Sequence, residues 1–181
     1  MKNTLNTRIQ SIRNRGIFSS RNRMLFSNDV ETVKSYIHFA GTSEINTTDE
    51  NGKTALFGAS FEIAELLIKA GIDVNHKDNF GNTALFFSDF NSTWLLLNKG
   101  ADINAVNNNN MNALYTADTS KARMLIKSGI NINNKSKLGH TALYYAHLLN
   151  DRNMMSVLMD AGIEISHKEQ KRYKRYKRYA A

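Results

Sequence analysis

The stretch NGKTALF at residues 51–57 returns as FGNTALFF at 80–87, as NMNALY at 110–115 and as LGHTALYY at 138–145. The alanines at its centre, Ala55, Ala84, Ala113 and Ala142, follow one another at intervals of 29 residues. A fixed period of this size marks stacked units, each burying its apolar face only against its neighbours. Gly71, Gly100 and Gly129 keep the same interval, as do the pieces IDVN at 72–75, ADIN at 101–104 and ININ at 130–133.

Within one unit the order of signals is constant. Each phrase opens on a turn, DENGK at 49–53 or DNFGN at 78–82, in which Asp and Gly supply tight-turn chemistry and a positive φ. The Thr of TAL falls where a hydroxyl would cap a helix, and a short helix is expected after it. A second helix follows in FEIAELLIKAG at 61–71, with Ile63, Leu66, Leu67 and Ala70 at helical spacing and a terminal glycine suited to a left-handed stop. An extended link then leads into the next turn. In the third copy Asn110 and Asn112 replace Gly and Thr, and Asn tolerates the left-handed region better than most residues.

The rest of the composition narrows the classes. The chain has 181 residues, 41% hydrophobic and 22% charged, an ordinary globular balance. It has no cysteine, which removes disulfides, thiolate nucleophiles and cysteine metal sites and fits a reducing cytoplasm. No stretch reads as a membrane span, and residues 1–16 lack the apolar run of a secretory signal. The net charge of +8 is unevenly placed. Residues 1–23 hold six basic and no acidic residues, and 168–181 hold seven basic residues and Glu169, so each end carries +6. Between them, 24–167 has 11 basic against 15 acidic residues, a net of −4.

On these motifs the chain resembles the ankyrin-repeat family. Thr-Ala-Leu plus an aromatic stands where that family has Thr-Pro-Leu-His, and ELLIKAGIDVN and WLLLNKGADIN match its second helix and link. The resemblance implies an all-α solenoid of stacked helix-turn-helix units with short β-hairpin-like turns. Residues 24–167 form this domain, with MLFSNDVETVKSYI at 24–37 as an N-terminal capping unit before four repeats. The segments 1–23 and 168–181 flank it as flexible basic ends. Three copies run 29 residues against about 33 in the family. Alignment places the missing four between the two helices, and Gly162, 33 residues after Gly129, shows the fourth copy at full length.

The resemblance also implies where a partner binds: the turn tips and the exposed side of the first helix, lining a concave groove. By position these are Glu50, Asn51 and Lys53; Asn79, Phe80, Asn82, Phe87 and Asp89; Asn109, Met111, Thr116 and Asp118; and Lys137, Leu138, His140, Tyr145 and His147. Phe80, Phe87, Met111, Leu138 and Tyr145 would be apolar side chains held out among polar ones, the composition of a protein-binding hot spot. The aromatics after TAL, Phe57, Phe86, Tyr115 and Tyr144, are expected between repeats as core. Trp94 stands where the preceding repeat has Glu65, either as a back-face contact or as packing.

No catalytic or metal constellation accompanies these residues. The five histidines, His38, His76, His140, His147 and His167, fall in different units without a diagnostic partner, and no phosphate loop is present. The implied function is non-enzymatic protein binding without a cofactor, by a monomer or by a dimer through the C-terminal repeat. Small bacterial members of the family include immunity proteins that occlude a toxin, and a mildly acidic groove suits a basic target. Two alternatives stand beside this reading. One is a secreted bacterial effector. The other is a binder of nucleic acid or anionic membrane through the ends, where KRYKRYKRY at 171–179 alternates cations with aromatics.

Overall fold

The computed structural model describes residues 24–40 and 44–165. The basic segments 1–23 and 168–181 lie outside the described residues, as do 166 and 167 of the repeat body. Six α-helices are present in the described part: α1 (Val30–Ala40), α2 (Phe61–Lys69), α3 (Phe90–Asn98), α4 (Thr119–Lys127), α5 (Ala142–Leu148) and α6 (Arg152–Asp160). Helix α1 packs on α2, α2 on α3, α3 on α4 and α4 on α6, while α5 lies against α6. The result is an all-α stack in which each unit touches its neighbours.

The first helix of each unit differs from the sequence expectation. Only the fourth repeat has one, α5; the second and third have single 3-10 turns at Ala84–Phe86 and Ala113–Tyr115, and the first has a turn alone. Spacing explains the loss. From the position before the inner turn to the cap of the outer helix, Thr83 to Asp89 and Asn112 to Asp118, the chain advances six positions, against ten from Thr141 to Asp151. Four missing residues are about one α-helical turn. They come out of the inner helix itself rather than from the connection after it.

The threonines of TAL do not cap as expected. Thr83 and Thr141 hold the N-cap position without a side-chain hydrogen bond, and the buried hydroxyls of Thr54 and Thr83 have no partner. Asn112, their counterpart, does cap, accepting from Leu114 N at 3.2 Å. The outer helices are capped at every unit: Ser60, Asp89, Asp118 and Asp151 accept from the backbone N–H three residues on. At their other ends Gly71, Gly100, Gly129 and Gly162 all have φ between 80° and 90°.

Two sets of hydrogen bonds repeat with the units and fix their register. In the links, Asn46, Asn75, Asn104 and Asn133 each accept at 2.8 Å from the backbone N–H of the next link, at Asp73, Asp102, Asn131 and Glu164. In the turns, the backbone N–H of Asn79, Asn108 and Lys137 donates to the carbonyls of Asn51, Phe80 and Asn109 in the turn before. Each turn is closed on itself as well, by Asp78 N donating to Asn82 O and its equivalents. Asn110 takes φ 58° where the other turns carry glycine, as the sequence leads one to expect.

Leucines fill the space between the layers. Leu56, Leu85, Leu114 and Leu143 from the phrase face Leu67, Leu96, Leu125 and Leu158 from the outer helices, none more than 3% exposed. Met154, Met155 and Val157 of α6 are buried as well. Both ion pairs among the described residues, Lys34–Glu31 and Lys69–Glu65, lie within single helices. Apolar burial and backbone bonds, not charge pairing, therefore join the units.

Candidate partner-binding face

The turn tips and inner segments present their side chains on one face, and the periodic bonds above set the spacing between successive tips. Phe80 and Leu138 stand out from the second and fourth tips at 60% and 74% exposure. Phe87, just after the 3-10 turn of the second repeat, is 44% exposed. Met111 and Tyr145 are partly buried instead. Truncation of the inner helix accounts for Phe87: its counterpart Tyr145 lies within α5, with a further turn of helix beyond it.

Aromatic groups gather at two places on this face. Around Phe87, the Lys53 ammonium sits 4.5 Å from the ring centroid, and the Phe57 ring lies 5.9 Å away at a tilt of 39°. Phe57 also meets His76 edge-on, and His76 Nε2 is 2.8 Å from the carbonyl of Gly52. The second group joins the third and fourth repeats. His140 stacks on Tyr144 with centroids 3.7 Å apart, and Tyr145 meets Tyr115 edge-on at 5.4 Å. The Tyr115 hydroxyl lies 2.7 Å from both the Asn134 and His140 carbonyls, and burial pushes its pKa up to about 12. Of the aromatics expected between repeats, Phe86 is buried, Tyr115 bonds across to the next unit, and Phe57 and Tyr144 are half-buried within these groups.

The polar residues assigned to this face have structural work too. Asn79 Nδ2 donates to Glu50 O, and Asn82 donates to Asp78 while accepting from Asn107 Nδ2 at 2.9 Å. Asp89 and Asp118 each commit a carboxylate oxygen to a helix cap. Lys137 contributes its backbone to the turn ladder and its side chain to solvent. What remains free to be read by a partner is chiefly aromatic and aliphatic, edged by Glu50, Lys53, Asn109 and Lys137. Among the described residues no cluster of three or more His, Asp or Glu side chains is placed to hold a metal ion.

One residue escaped the sequence reading. Lys121 of α4 is 3% exposed, and its ammonium donates to the carbonyls of Leu85, Ser88 and Phe86 at 2.7, 2.9 and 3.3 Å. These carbonyls belong to the truncated inner segment of the preceding repeat. Burial lowers the pKa of this amine to about 8, opposed by the nearby carboxylates of Asp118 and Asp89. A signal was present: the 29-residue register sets Lys121 in a column with Ile63 and Ser92, and a charge in an inward column needs a partner.

The model of the ankyrin repeat family, describing three copies, matches residues 23–107 and 87–169. This chain belongs to the ankyrin-repeat family, whose members as a class mediate protein–protein interaction and are typically not enzymes. No curated protein matches it. None of its described helices is long and apolar enough to cross a membrane.

Proposed function

We propose that this chain is a non-enzymatic binding module that holds a partner protein on the face formed by its turn tips and inner segments. The supporting observation is the exposure of Phe80, Phe87 and Leu138 beside two ordered aromatic groups, on tips tied together by periodic backbone bonds. Exposed aromatics on a pre-ordered scaffold supply contact area at low entropic cost. Charge favours a basic partner surface at one end: residues 24–75 carry 8 acidic and 3 basic residues, a net of −5, and 76–167 carry 7 and 8, a net of +1. In its narrowest form the proposal is of a bacterial cytoplasmic inhibitor, such as an immunity protein, that acts as a monomer and covers the working surface of a basic toxin.

Affinity capture from the source organism's lysate at about 0.3 M salt, where exposed charge pairing is strongly screened, tests it. The full chain should retain one protein that is lost when Phe80, Phe87 and Leu138 are all changed to Ala. Retention by that triple variant would contradict the assignment. Capture that disappears at this salt would move the function to the basic ends.

A further inference from the structure

A second surface, on the outer helices, has features that packing does not require. Helices α3, α4 and α6 border an open hollow of about 670 Å3. Its apolar part is formed by Phe90 and Trp94 of α3 with Met124 of α4 and Val157 of α6. Phe90 and Trp94 are 46% and 56% exposed. The fold has no need of an indole there, since the equivalent position holds Glu65, Arg123 and Ser156 in the other repeats. Half-exposed Trp and Phe side by side are instead typical of anchor points for another molecule.

Charge defines what that molecule must carry. Arg123 and Lys127, one helical turn apart on α4, line the hollow, and neither is in an ion pair among the described residues. Asp160 is the single acidic residue of the lining. The chain's own terminal segments, each at +6, have the wrong sign to settle beside these cations. The acidic helices of a second copy are also unsuited, because α1 and α2 already bury their apolar residues, Val33, Tyr36, Ile63 and Leu67, within the stack.

We infer that this hollow is a second docking site, distinct from the turn-tip face, for an acidic amphipathic helix of another protein. Apolar residues on one stripe of that helix cover Trp94 and Phe90, and carboxylates one turn apart on its flank meet Arg123 and Lys127. The hollow's size is that of a binding site, and its open form admits a helix face more readily than an enclosed small ligand.

A displayed library of helical peptides of about five turns, first depleted on the Trp94→Ala chain and then selected on the unaltered full chain, tests the inference. Selected peptides should be net acidic, with apolar residues at i, i+3/i+4 and i+7. Their affinity should fall at least about tenfold for Lys127→Glu, a change on an exposed side chain that leaves the core intact. Circular dichroism melting should show that both variants remain folded. No selected peptide, or neutral or basic ones, would overturn the inference. So would a concentration-dependent dimer abolished by Trp94→Ala, which makes a second copy the occupant, or tighter peptide binding after removal of 168–181, which makes it the chain's own tail.

Discussion

In the third repeat the helix cap Asp118 lies six positions after Asn112, and in the fourth Asp151 lies ten after Thr141. With ten, α5 forms and closes its own end: Asn150 takes φ 55° and Asp151 N donates to Ala146 O at 2.9 Å. With six, one 3-10 turn forms; in the second repeat the Ser88 hydroxyl donates to Leu85 O at 3.2 Å, but Phe86 O and Ser88 O have no donor in their own unit. The next repeat supplies one. Ser92 donates to Ala59 O of the first repeat at 3.3 Å, and Lys121 donates to three carbonyls of the second. A repeat can therefore lose most of its inner helix and keep its place, because the phrase leucine stays in the single turn that remains, as Leu85 and Leu114 do, and the asparagine ladder lies outside it. Its polar ends then depend on a neighbour, whereas the full-length repeat is self-sufficient.

Several substitutions sharpen this contrast. The largest effect is expected at the core the two kinds of repeat share: Leu96→Ala and Leu158→Ala should each destabilise by about 2–5 kcal/mol in urea unfolding, and similarly to each other. If the short repeat tolerates the change and the long one does not, the shared core is the wrong picture. Lys121→Ala follows, at about 2–4 kcal/mol, since it opens a cavity and leaves the Ser88 carbonyl unpaired, while Leu85 O and Phe86 O keep the hydroxyls of Ser88 and Thr116.

The turn glycines separate the repeats next. A Cβ at Gly81 would lie 2.5 Å from Asn108 Oδ1 and 2.8 Å from its backbone N, while at Gly139 nothing stands within 4 Å. Both have positive φ, 78° and 77°. Thermal melts should show Gly139→Ala losing about 1 kcal/mol from backbone strain alone, and Gly81→Ala clearly more. Equal losses would mean that stacking of successive turns contributes little.

The smallest effect is a pH dependence. Lys121 in the folded chain has a pKa lowered to about 8, below the ordinary lysine value of 10.5. Below pH 8 both folded and unfolded states hold the proton, and the cost of burying the charge is present in full. Between pH 8 and 10.5 the folded state releases it first, so stability rises with pH. Relative to Lys121→Met, the unaltered chain should gain about 1–2 kcal/mol between pH 8 and 9.5. The window closes near pH 10.5, where the unfolded lysine also releases its proton; the stability lost as Tyr115, held neutral up to about 12 in the folded chain, ionises in the unfolded one is common to both chains and cancels. A pH-independent difference would show that the amine is hydrated in the folded chain.

Most of the stack was legible because its constraints recur at one interval. The left-handed glycines, the leucines and the link asparagines each satisfy the same backbone or packing demand in every unit, so the period exposes them. Even Asn110 was readable, as the residue that best replaces glycine at positive φ. What could not be read was local to the shortened segment. The phrase spells a helix start in all four copies, TAL in three and NAL in the third, but an advance of six positions leaves no room for an α-helix, and length rather than propensity decides the outcome.

On the turn-tip face, the sequence located the exposed Phe80, Phe87 and Leu138 by their place in the phrase. It did not separate them from Asp89 and Asp118, although Ser60 and Asp151 in the same column mark that position as a helix cap. Lys121 was missed because its bonds reach 33 to 36 residues back through a long side chain, and no local pattern records such a contact.

The central claim is that a buried ammonium from the third repeat completes the shortened second one. An NMR titration of the Lys121 side-chain nitrogen in the folded full chain tests this most directly. The account expects a midpoint near 8, with the amine protected from solvent exchange below it. A midpoint near that of a free lysine, about 10.4, with rapid exchange throughout, would place the amine in water and contradict the account.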